Sequence, residues 1–409
     1  MTQFRLGPQH KSFPPSSWGA TLADFRAEGR RVSEFHTPLL TLDRSALDHN
    51  TTRMLAWCRE RGLDLAPHGK TTMAPVLWQE LTDAGAWAIT VATAWQAQVA
   101  VSQGVGRVLV ANELIDPVGL GWIDTHLRDP EATSQILCWA DSLAAVAAME
   151  HTLGAEGPAL DVLVELGRSG GRTGARSIEE AELVAAAIAR APRLRLAGVG
   201  GYEGALAGDR EPGSVAIIRD YCRDLAELAT NLDQDGLLAT DRPVVTAAGS
   251  AFFDLVAEEL EPLVPNFRVV LRSGAFQVHD DDHYRRLSGF AGTDEPLVAG
   301  MHGWARVLSR PEPALALCDA GKRDLPYDVS MPIPLDADGA PRHGWQVTRM
   351  NDQHLFLRLP PQAQLAVGEV LRFGLSHPCT AFDKWRLIPV VDDAAAPDPM
   401  VIDAIETLF

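Results

Sequence analysis

Short apolar runs alternate with longer amphipathic segments between residues 63 and 277 of this 409-residue chain. The runs are rich in Val, Ile and Leu and stay apolar along their length, which is typical of parallel strands buried on both faces. Segments between them, such as SIEEAELVAAAIARAP, place apolar residues at helical spacing with acids in the first turn. The eight runs are LDLAPHGK, AITVAT, RVLVAN, QILCWA, DVLVEL, RLAGVGG, PVVTAAGS and RVVLRSGA.

Eight strand-helix repeats predict an α/β fold, a (β/α)8 barrel of parallel strands with right-handed crossovers. An open doubly wound sheet is the alternative arrangement of the same elements. After about residue 280, short runs such as WQVTRM and HLFLRL are separated by Pro, Gly and Asp, which predicts an antiparallel β domain. We expect an irregular N-terminal arm (1–36), a barrel (37–277) and a C-terminal β domain (278–409). The run TPLLTLD should add a strand to one of these two domains.

The charge of the chain limits its partners. Fifty-four acidic and 36 basic residues leave a net charge of −18, which repels phosphate backbones and anionic membrane surfaces. We therefore expect neither nucleic acid nor a membrane as a partner. No apolar run suits a signal peptide or a membrane span, which predicts a cytoplasmic location. Five scattered cysteines do not resemble a disulfide framework.

Polar segments follow the apolar runs at the end where parallel barrels carry their functional sites. The first run ends in PHGKTT, which places Lys70 at the barrel mouth. Poor solvation there would lower the pKa of its amine and leave it neutral, able to form a Schiff base. The alternative is a lysine that only extends from a strand end into solvent. The GKT triplet is not a phosphate loop, because Asp64 occupies the position where that motif needs glycine.

Two later runs end in glycine-rich segments, GGYEG and TAAGS. Backbone N–H groups at such ends, Gly249 among them, can bind a phosphate with help from the Ser250 hydroxyl. Alternatively, the glycines only permit tight turns. Arg172 in RSGGRTG can make a charge-assisted contact to a phenolic or carboxylate oxygen, or be a cation at the rim of the site.

A His-x-Cys pair, His377 and Cys379, lies near the C-terminus. In an extended conformation both side chains share one face, so a nitrogen and a thiolate sulfur can bind one ion such as zinc. Two protein ligands leave positions open, which is typical of a catalytic metal. A buried cysteine beside a hydrogen-bonded histidine is the alternative. The acidic run 280–283 is a second possible metal cluster, or a solvated turn.

The order of these motifs resembles one family. The segments TPLLTLDRSALDHN, PHGKTTMAP, ATAWQAQVAVSQGV, RVLVANE, GRSGGRTG, GGYEG, TAAGS and HPCTAFDKW follow one another over roughly residues 36 to 390. Together they are similar to the D-serine dehydratase and D-threonine aldolase family, pyridoxal 5'-phosphate enzymes with an alanine-racemase-like barrel and a β domain. The resemblance implies that cofactor, a divalent metal, a small D-amino acid substrate and a homodimer in which one subunit's β domain helps shape the other's active site.

The resemblance also implies roles for single residues. Lys70 matches the lysine that forms the Schiff base with the cofactor, and which then acts as the catalytic base. Tyr202, Gly249 and Ser250 fall on segments that bind the cofactor and its phosphate. Arg172 falls near the hydroxyl of the cofactor ring.

The metal ligands distinguish two branches of the family. His377 and Cys379 match the ligands of zinc or manganese, and the dehydratase-like members carry His-x-Cys where the aldolase-like members carry His-x-Asp. Cys379 thus implies a carbon-oxygen lyase that converts β-hydroxy-D-amino acids such as D-serine or D-threonine to a 2-oxo acid and ammonia. Retro-aldol cleavage to glycine and an aldehyde is the first alternative. An amino-acid racemase and a non-catalytic vitamin B6 carrier are two further alternatives. The N-terminal arm and HDDDHY at 279–284 depart from the family pattern.

Overall fold

Two sheets organise the computed structural model of this chain, which describes residues 4–409. Strand β1 (Leu39–Asp43) precedes the eight strands of the first sheet. These are β2 (Asp64–Leu65), β3 (Ile89–Val91), β4 (Arg107–Glu113), β5 (Gln135–Ala140), β6 (Leu160–Leu166), β7 (Leu194–Gly201), β8 (Val244–Ala247) and β9 (Arg268–Leu271). Every pair of neighbours is parallel, in the order β2-β9-β8-β7-β6-β5-β4-β3.

The two ends of this sheet meet and close it into a barrel. The Trp87 N–H donates to the Leu65 carbonyl at 2.7 Å, and the Thr90 N–H donates to the Pro67 carbonyl at 2.9 Å. A parallel bridge joins His68 to Thr90 as well. The predicted (β/α)8 barrel is therefore confirmed, and the open doubly wound sheet is wrong. Each of the eight apolar runs overlaps one barrel strand, and no strand extends more than one residue beyond its run. Strand β6 is buried at all seven positions, as expected for a strand covered on both faces.

Helices alternate with the barrel strands. In chain order the helices are α1 (Leu22–Ala27), α2 (Arg44–Glu60), α3 (Pro75–Asp83), α4 (Ala94–Ser102), α5 (Pro117–Arg128), α6 (Leu143–Leu153), α7 (Ile178–Arg190), α8 (Pro212–Gln234), α9 (Phe253–Leu260), α10 (His283–Leu287) and α11 (Cys379–Phe382). Side-chain caps fix where several of them begin; for example, Ser142 and Ser177 accept an N–H bond from the first turns of α6 and α7. Among residues 4–409, no helix is long and apolar enough to cross a membrane.

The second sheet joins the C-terminal segment to a strand from before the barrel. Its remaining strands are β10 (Met301–Glu312), β11 (Leu315–Cys318), β12 (Ile333–Pro334), β13 (Gln346–Met350), β14 (Leu355–Arg358), β15 (Val370–Gly374), β16 (Leu387–Val391) and β17 (Val401–Glu406). Their order is β13-β14-β11-β10-β1-β16-β17, with β15 pairing β10 and β12. Strand β1, from the run TPLLTLD, is antiparallel to β10 and parallel to β16, so the sheet is antiparallel except at this one pair.

The N-terminal arm packs against the second sheet through aromatic side chains. Phe13, Phe25 and Phe35 contact one another with ring centroids 5.3–6.1 Å apart, and they share a cluster with buried residues of β1, β16 and β17. The arm was expected to be irregular, but it contains α1. Thr21 and Asp24 form a capping box at the start of this helix, a signal that is readable in the sequence.

We expect Phe25→Ala to lower the free energy of unfolding by about 3–5 kcal/mol, because the side chain is 1% exposed and its removal leaves a cavity. Chemical denaturation of the full chain measures this change. Trp18→Ala is the matched control, since Trp18 is an aromatic residue of the same arm that is 45% exposed. Equal stability of the two variants would show that the arm does not contribute to the core.

Candidate active site

A cavity of about 160 Å³ lies at the carboxyl ends of the barrel strands. Loops after β2, β7, β8 and β9 form its walls, together with the segment between β15 and β16. All seven residues selected from the sequence line it: Lys70, Arg172, Tyr202, Gly249, Ser250, His377 and Cys379. A larger cavity of about 550 Å³ lies beside His279 and His302 and includes none of the seven.

The charge of the smaller cavity is opposite to that of the whole protein. Its lining carries the cationic side chains Lys70, Arg172 and Arg272 and includes no Asp or Glu. The chain as a whole has a net charge of −18. Because like charges in a poorly solvated space repel each other, an anionic ligand stabilises this arrangement. The cavity is therefore suited to a molecule that carries phosphate or carboxylate groups.

Lys70 lies on a tight turn, Gly69–Thr71, that follows β2. Glycine is required at position 69, because a Cβ atom there would lie 2.8 Å from the Trp78 ring nitrogen. The Trp78 indole N–H also donates to the Gly69 carbonyl at 3.2 Å, which fixes the turn. Desolvation lowers the pKa of the Lys70 amine, as expected from the sequence. Arg172 and Arg272 lower it further, while the Cys379 side chain opposes them. The amine is thus more often neutral than that of an ordinary lysine.

Two backbone N–H groups hold the Ser250 hydroxyl at the wall of the cavity. The N–H groups of Gly274 and Ala275 point at the Ser250 hydroxyl oxygen, at 3.3 and 3.1 Å. The loop after β9 needs glycine here, because a Cβ on Gly274 would lie 2.6 Å from the His68 carbonyl oxygen. Gly249 also lines the cavity. Its N–H, expected to be available to a phosphate, instead donates at 2.6 Å to a buried carboxylate of the preceding loop.

Arg272 is a site residue that was not selected from the sequence. Its side chain is buried, donates to the Thr246 hydroxyl at 2.7 Å and to the Gly201 carbonyl at 2.5 Å, and stacks over the Trp139 ring at 4.8 Å. Burial lowers the pKa of this guanidinium to about 10. Its place directly after the apolar run of β9 was a usable signal, because that position faces the mouth of the barrel.

Arg172 lies between an aromatic ring and a group of acids. Its guanidinium is 4.8 Å from the centre of the Tyr202 ring, and its Nη2 atom is 4.0 Å from Glu165 Oε1. Ligand oxygens of Glu113, Asp141 and Glu165 lie within 4.8 Å of one another behind it. Burial, followed by the proximity of Glu113, raises the pKa of Glu165 to about 9. These contacts hold Arg172 at the wall of the cavity, while 46% of its side chain remains exposed.

His377 and Cys379 reach the cavity in a conformation that differs from the expected one. The pair is not extended, because His377 has φ 59° and Cys379 is the first residue of α11. Proline fixes the residue between them in a helical conformation, and the Asp280 carboxylate accepts the His377 backbone N–H at 3.0 Å. The Cys379 sulfur lies 3.4 Å from the Thr71 hydroxyl, so the second sheet meets the barrel beside Lys70.

The His377 imidazole also contacts charged neighbours. Its Nδ1 atom is 2.5 Å from an Asp328 carboxylate oxygen. A hydrogen bond to the Cys379 side chain, followed by the Asp328 carboxylate, raises the pKa of His377 to about 9. An imidazole and a thiol that share one wall of a cavity are suitable ligands for a metal ion.

The acidic run at 280–283 supports this loop. Asp280 is buried and accepts N–H bonds from Asp282 and Tyr284 in addition to the one from His377. The run is therefore not a simple solvated turn. Within residues 4–409, this run does not bring three ligand atoms as close together as Glu113, Asp141 and Glu165 are. Tyr284 lines the cavity, and burial raises its pKa well above the ordinary value of 10.0.

Comparisons with known proteins agree with this architecture. Residues 42–261 match the family model described as alanine racemase, N-terminal domain, and residues 300–391 match the putative serine dehydratase domain. A D-threonine aldolase from Arthrobacter sp is 26% identical over 385 residues, covering 92% of this chain and 94% of that protein. A 3-hydroxy-D-aspartate aldolase from Paracoccus denitrificans (strain Pd 1222) is 25% identical over 352 residues, with 85% and 87% covered.

A solved structure extends the similarity to the whole fold. The D-threonine aldolase from Filomicrobium marinum superposes with a TM-score of 0.80 at 26% identity, covering 93% of this chain and 97% of that one. The alanine racemase model alone spans over half of the 409 residues. The chain therefore belongs to the family of the alanine racemase N-terminal domain, in the fold type III group of D-serine dehydratase and D-threonine aldolase that its motifs resemble.

Proposed function

We propose that this protein is a pyridoxal phosphate- and metal-dependent lyase that converts β-hydroxy-D-amino acids, such as D-serine or D-threonine, to a 2-oxo acid and ammonia. One observation carries the proposal: the Lys70 amine and the His-x-Cys pair line the same cavity from opposite ends of the chain. The relatives, which are named as enzymes acting on D-threonine or 3-hydroxy-D-aspartate, support the substrate class. The substrate is small, and its capture does not require a favourable net charge.

The cavity fits pyridoxal phosphate by the chemistry of its donors. Three cationic side chains without an acid in the lining suit a ligand with a phosphate. The Ser250 hydroxyl supplies a donor for that phosphate, and the N–H groups of Gly274 and Ala275 hold its oxygen in place. Lys70, whose pKa is lowered, supplies the amine that would attach the cofactor. Tyr202 and Arg172 stand at the wall where the cofactor ring and its hydroxyl would lie.

The His-x-Cys pair fits a divalent ion. An imidazole nitrogen and a thiolate sulfur are the donors that zinc prefers, and manganese favours oxygen more strongly. His377 and Cys379 supply two ligands, which leaves positions for the substrate hydroxyl and water. We therefore assign zinc as the favoured ion and manganese as the alternative.

The residues of the cavity would have different roles in the elimination reaction. When bound, the cofactor would accept the electron pair left at Cα, and the ion would weaken the bond between Cβ and its hydroxyl. Lys70 Nζ, whose pKa is lowered by desolvation, would remove the proton from Cα. Arg172 and Arg272 stabilise the negative charge of the bound groups. His377 and Cys379 would hold the ion near Lys70, since Cys379 contacts the residue next to Lys70.

A D-threonine aldolase activity is the second candidate, because relatives with this name share 26% of their residues with the chain over nearly its whole length. In that reaction a base takes the proton of the β-hydroxyl, and the bond between Cα and Cβ breaks. The identity of the second metal ligand favours dehydration, since the resemblance associates a cysteine at position 379 with the dehydratase-like branch.

Product analysis separates the two candidates. We expect D-serine, D-threonine or 3-hydroxy-D-aspartate to release ammonia and a 2-oxo acid in equal amounts when incubated with the cofactor-loaded protein. Glycine and an aldehyde would instead establish the aldolase reaction. Appearance of L-alanine from D-alanine, which lacks a β-hydroxyl, would indicate a racemase.

Removal of the metal tests the role of the His-x-Cys pair. We expect a chelator to reduce elimination at least 100-fold, because hydroxide leaves slowly without a Lewis acid. The visible absorption of the bound cofactor should remain, since its attachment does not involve the metal ligands. Zinc or manganese should restore turnover. Full activity after thorough metal removal, verified by elemental analysis, would contradict the assigned role.

A substitution at Lys70 tests the attachment of the cofactor. We expect borohydride to fix pyridoxal phosphate to the wild-type protein but not to Lys70→Ala, because reduction traps a Schiff base on this amine. The lowered pKa of Lys70 predicts that labelling persists to a lower pH than for a lysine with the ordinary pKa of 10.5. Mass spectrometry of peptides locates the label. His377→Ala is the control and should be labelled like the wild type; a label elsewhere than on Lys70 would refute the assignment.

A further inference from the structure

Asp328, in the segment between β11 and β12, contacts residues on both sides of Cys379. One carboxylate oxygen lies 2.5 Å from His377 Nδ1, and the other accepts the Thr380 hydroxyl at 2.7 Å. We propose that Asp328 is the positioning residue of the metal site, holding the His377 imidazole so that its Nε2 atom faces the ion. This inference rests on the proposed function, because it takes His377 as a metal ligand.

The hydrogen bond selects one form of the imidazole. A neutral imidazole carries one N–H, and a carboxylate accepts but cannot donate. In the neutral imidazole, which is the form that binds a metal, contact with Asp328 therefore places the hydrogen on Nδ1 and leaves the lone pair of Nε2 for the ion. The other tautomer would direct a lone pair at a negative oxygen. Carboxylates in this position orient metal-bound histidines generally and make them more basic ligands.

The backbone of His377 is held separately from its ring. Its φ of 59° is a left-handed conformation that residues other than glycine rarely adopt. The buried Asp280 carboxylate accepts the N–H of this residue and the N–H groups of two others. Asp280 thus fixes the position of the His377 backbone, and Asp328 fixes the orientation of its imidazole ring. The two carboxylates act on different degrees of freedom.

The exposure of Asp328 makes the proposal testable without loss of the fold. Its side chain is 38% exposed, so substitution removes no part of the core. Thr380 lies one residue beyond Cys379 and holds the second oxygen, which limits rotation of the carboxylate. Removal of the Thr380 hydroxyl should therefore have a weaker effect in the same direction.

The experiment measures zinc affinity of the metal-stripped, cofactor-loaded protein by competition with a chelating dye. We expect Asp328→Ala to bind zinc 10–100-fold more weakly, as found for partners of metal-bound histidines. Asp328→Asn should bind zinc more weakly than the wild type but more tightly than Asp328→Ala, because its uncharged amide oxygen still accepts the Nδ1–H. Thr380→Val should lose a measurable part of its zinc affinity, though less than tenfold. The cofactor absorption and the unfolding midpoint should match those of the wild type in each variant.

Asp383→Ala is the matched control. This aspartate directly follows α11, has a side chain that is 47% exposed, and pairs with Lys384 at 3.3 Å. We expect its zinc affinity to stay within twofold of that of the wild type. This result supports the proposal if Asp328→Ala binds zinc more weakly than the wild type. A comparable loss in Asp383→Ala would mean that any nearby negative charge attracts the ion, and would overturn a positioning role.

Zinc binding by the variants distinguishes a wrong positioning role for Asp328 from a wrong metal site. If Asp328→Ala binds zinc like the wild type while His377→Ala does not, the positioning role is wrong and the metal site of the proposed function stands. If His377→Ala also binds zinc like the wild type, both are wrong. If Asp328→Ala is poorly folded, the comparison of Asp328→Asn and Thr380→Val with the wild type decides in its place: unchanged affinity in both overturns the proposal.

Discussion

The contact between the Gly69–Thr71 turn and helix α11 is the constraint on which the candidate site depends. It brings the Cys379 sulfur to 3.4 Å from the Thr71 hydroxyl, so that the cavity contains both an amine and a soft metal ligand. A second link supports it, since the Leu408 N–H donates to the Met73 carbonyl at 2.8 Å. Without these two contacts between the barrel and the C-terminal segment, the barrel would offer only a cationic pocket, and the His-x-Cys loop would face solvent.

Positive and negative side chains around the cavity lie in different layers. Cations face the cavity, whereas the carboxylates of Glu165 and Glu203 lie buried behind them, and burial raises the pKa of each acid. The Glu203 carboxylate accepts the N–H groups of Ala248 and Gly249, so it also shapes the loop after β8. The field at the site is therefore set locally, and the strongly negative net charge of the protein does not describe what a ligand meets.

The sequence allowed the barrel to be predicted because both-face burial makes each strand apolar throughout, and it located Lys70 because functional side chains follow such strands. Residues that act through distant partners carried no such signal. Asp328 is 49 positions from His377, and Asp280 is 97 positions from it. The predicted extended His-x-Cys pair was wrong for the same reason, because its φ is supported by a carboxylate from another loop. Helix α1 was missed although Thr21 and Asp24 form a recognisable capping box.

Strand β1 has a consequence for the order in which the molecule is built. It leaves the ribosome before any barrel strand, yet its neighbours β10 and β16 are separated from it by more than 250 residues of chain. During synthesis the barrel can close around its own core before β1 has either of its partner strands. Until then, the backbone N–H and C=O groups on both edges of β1 lack their sheet hydrogen bonds. The half of the cavity that carries His377 and Cys379 is consequently the last to assemble, when the end of the chain arrives.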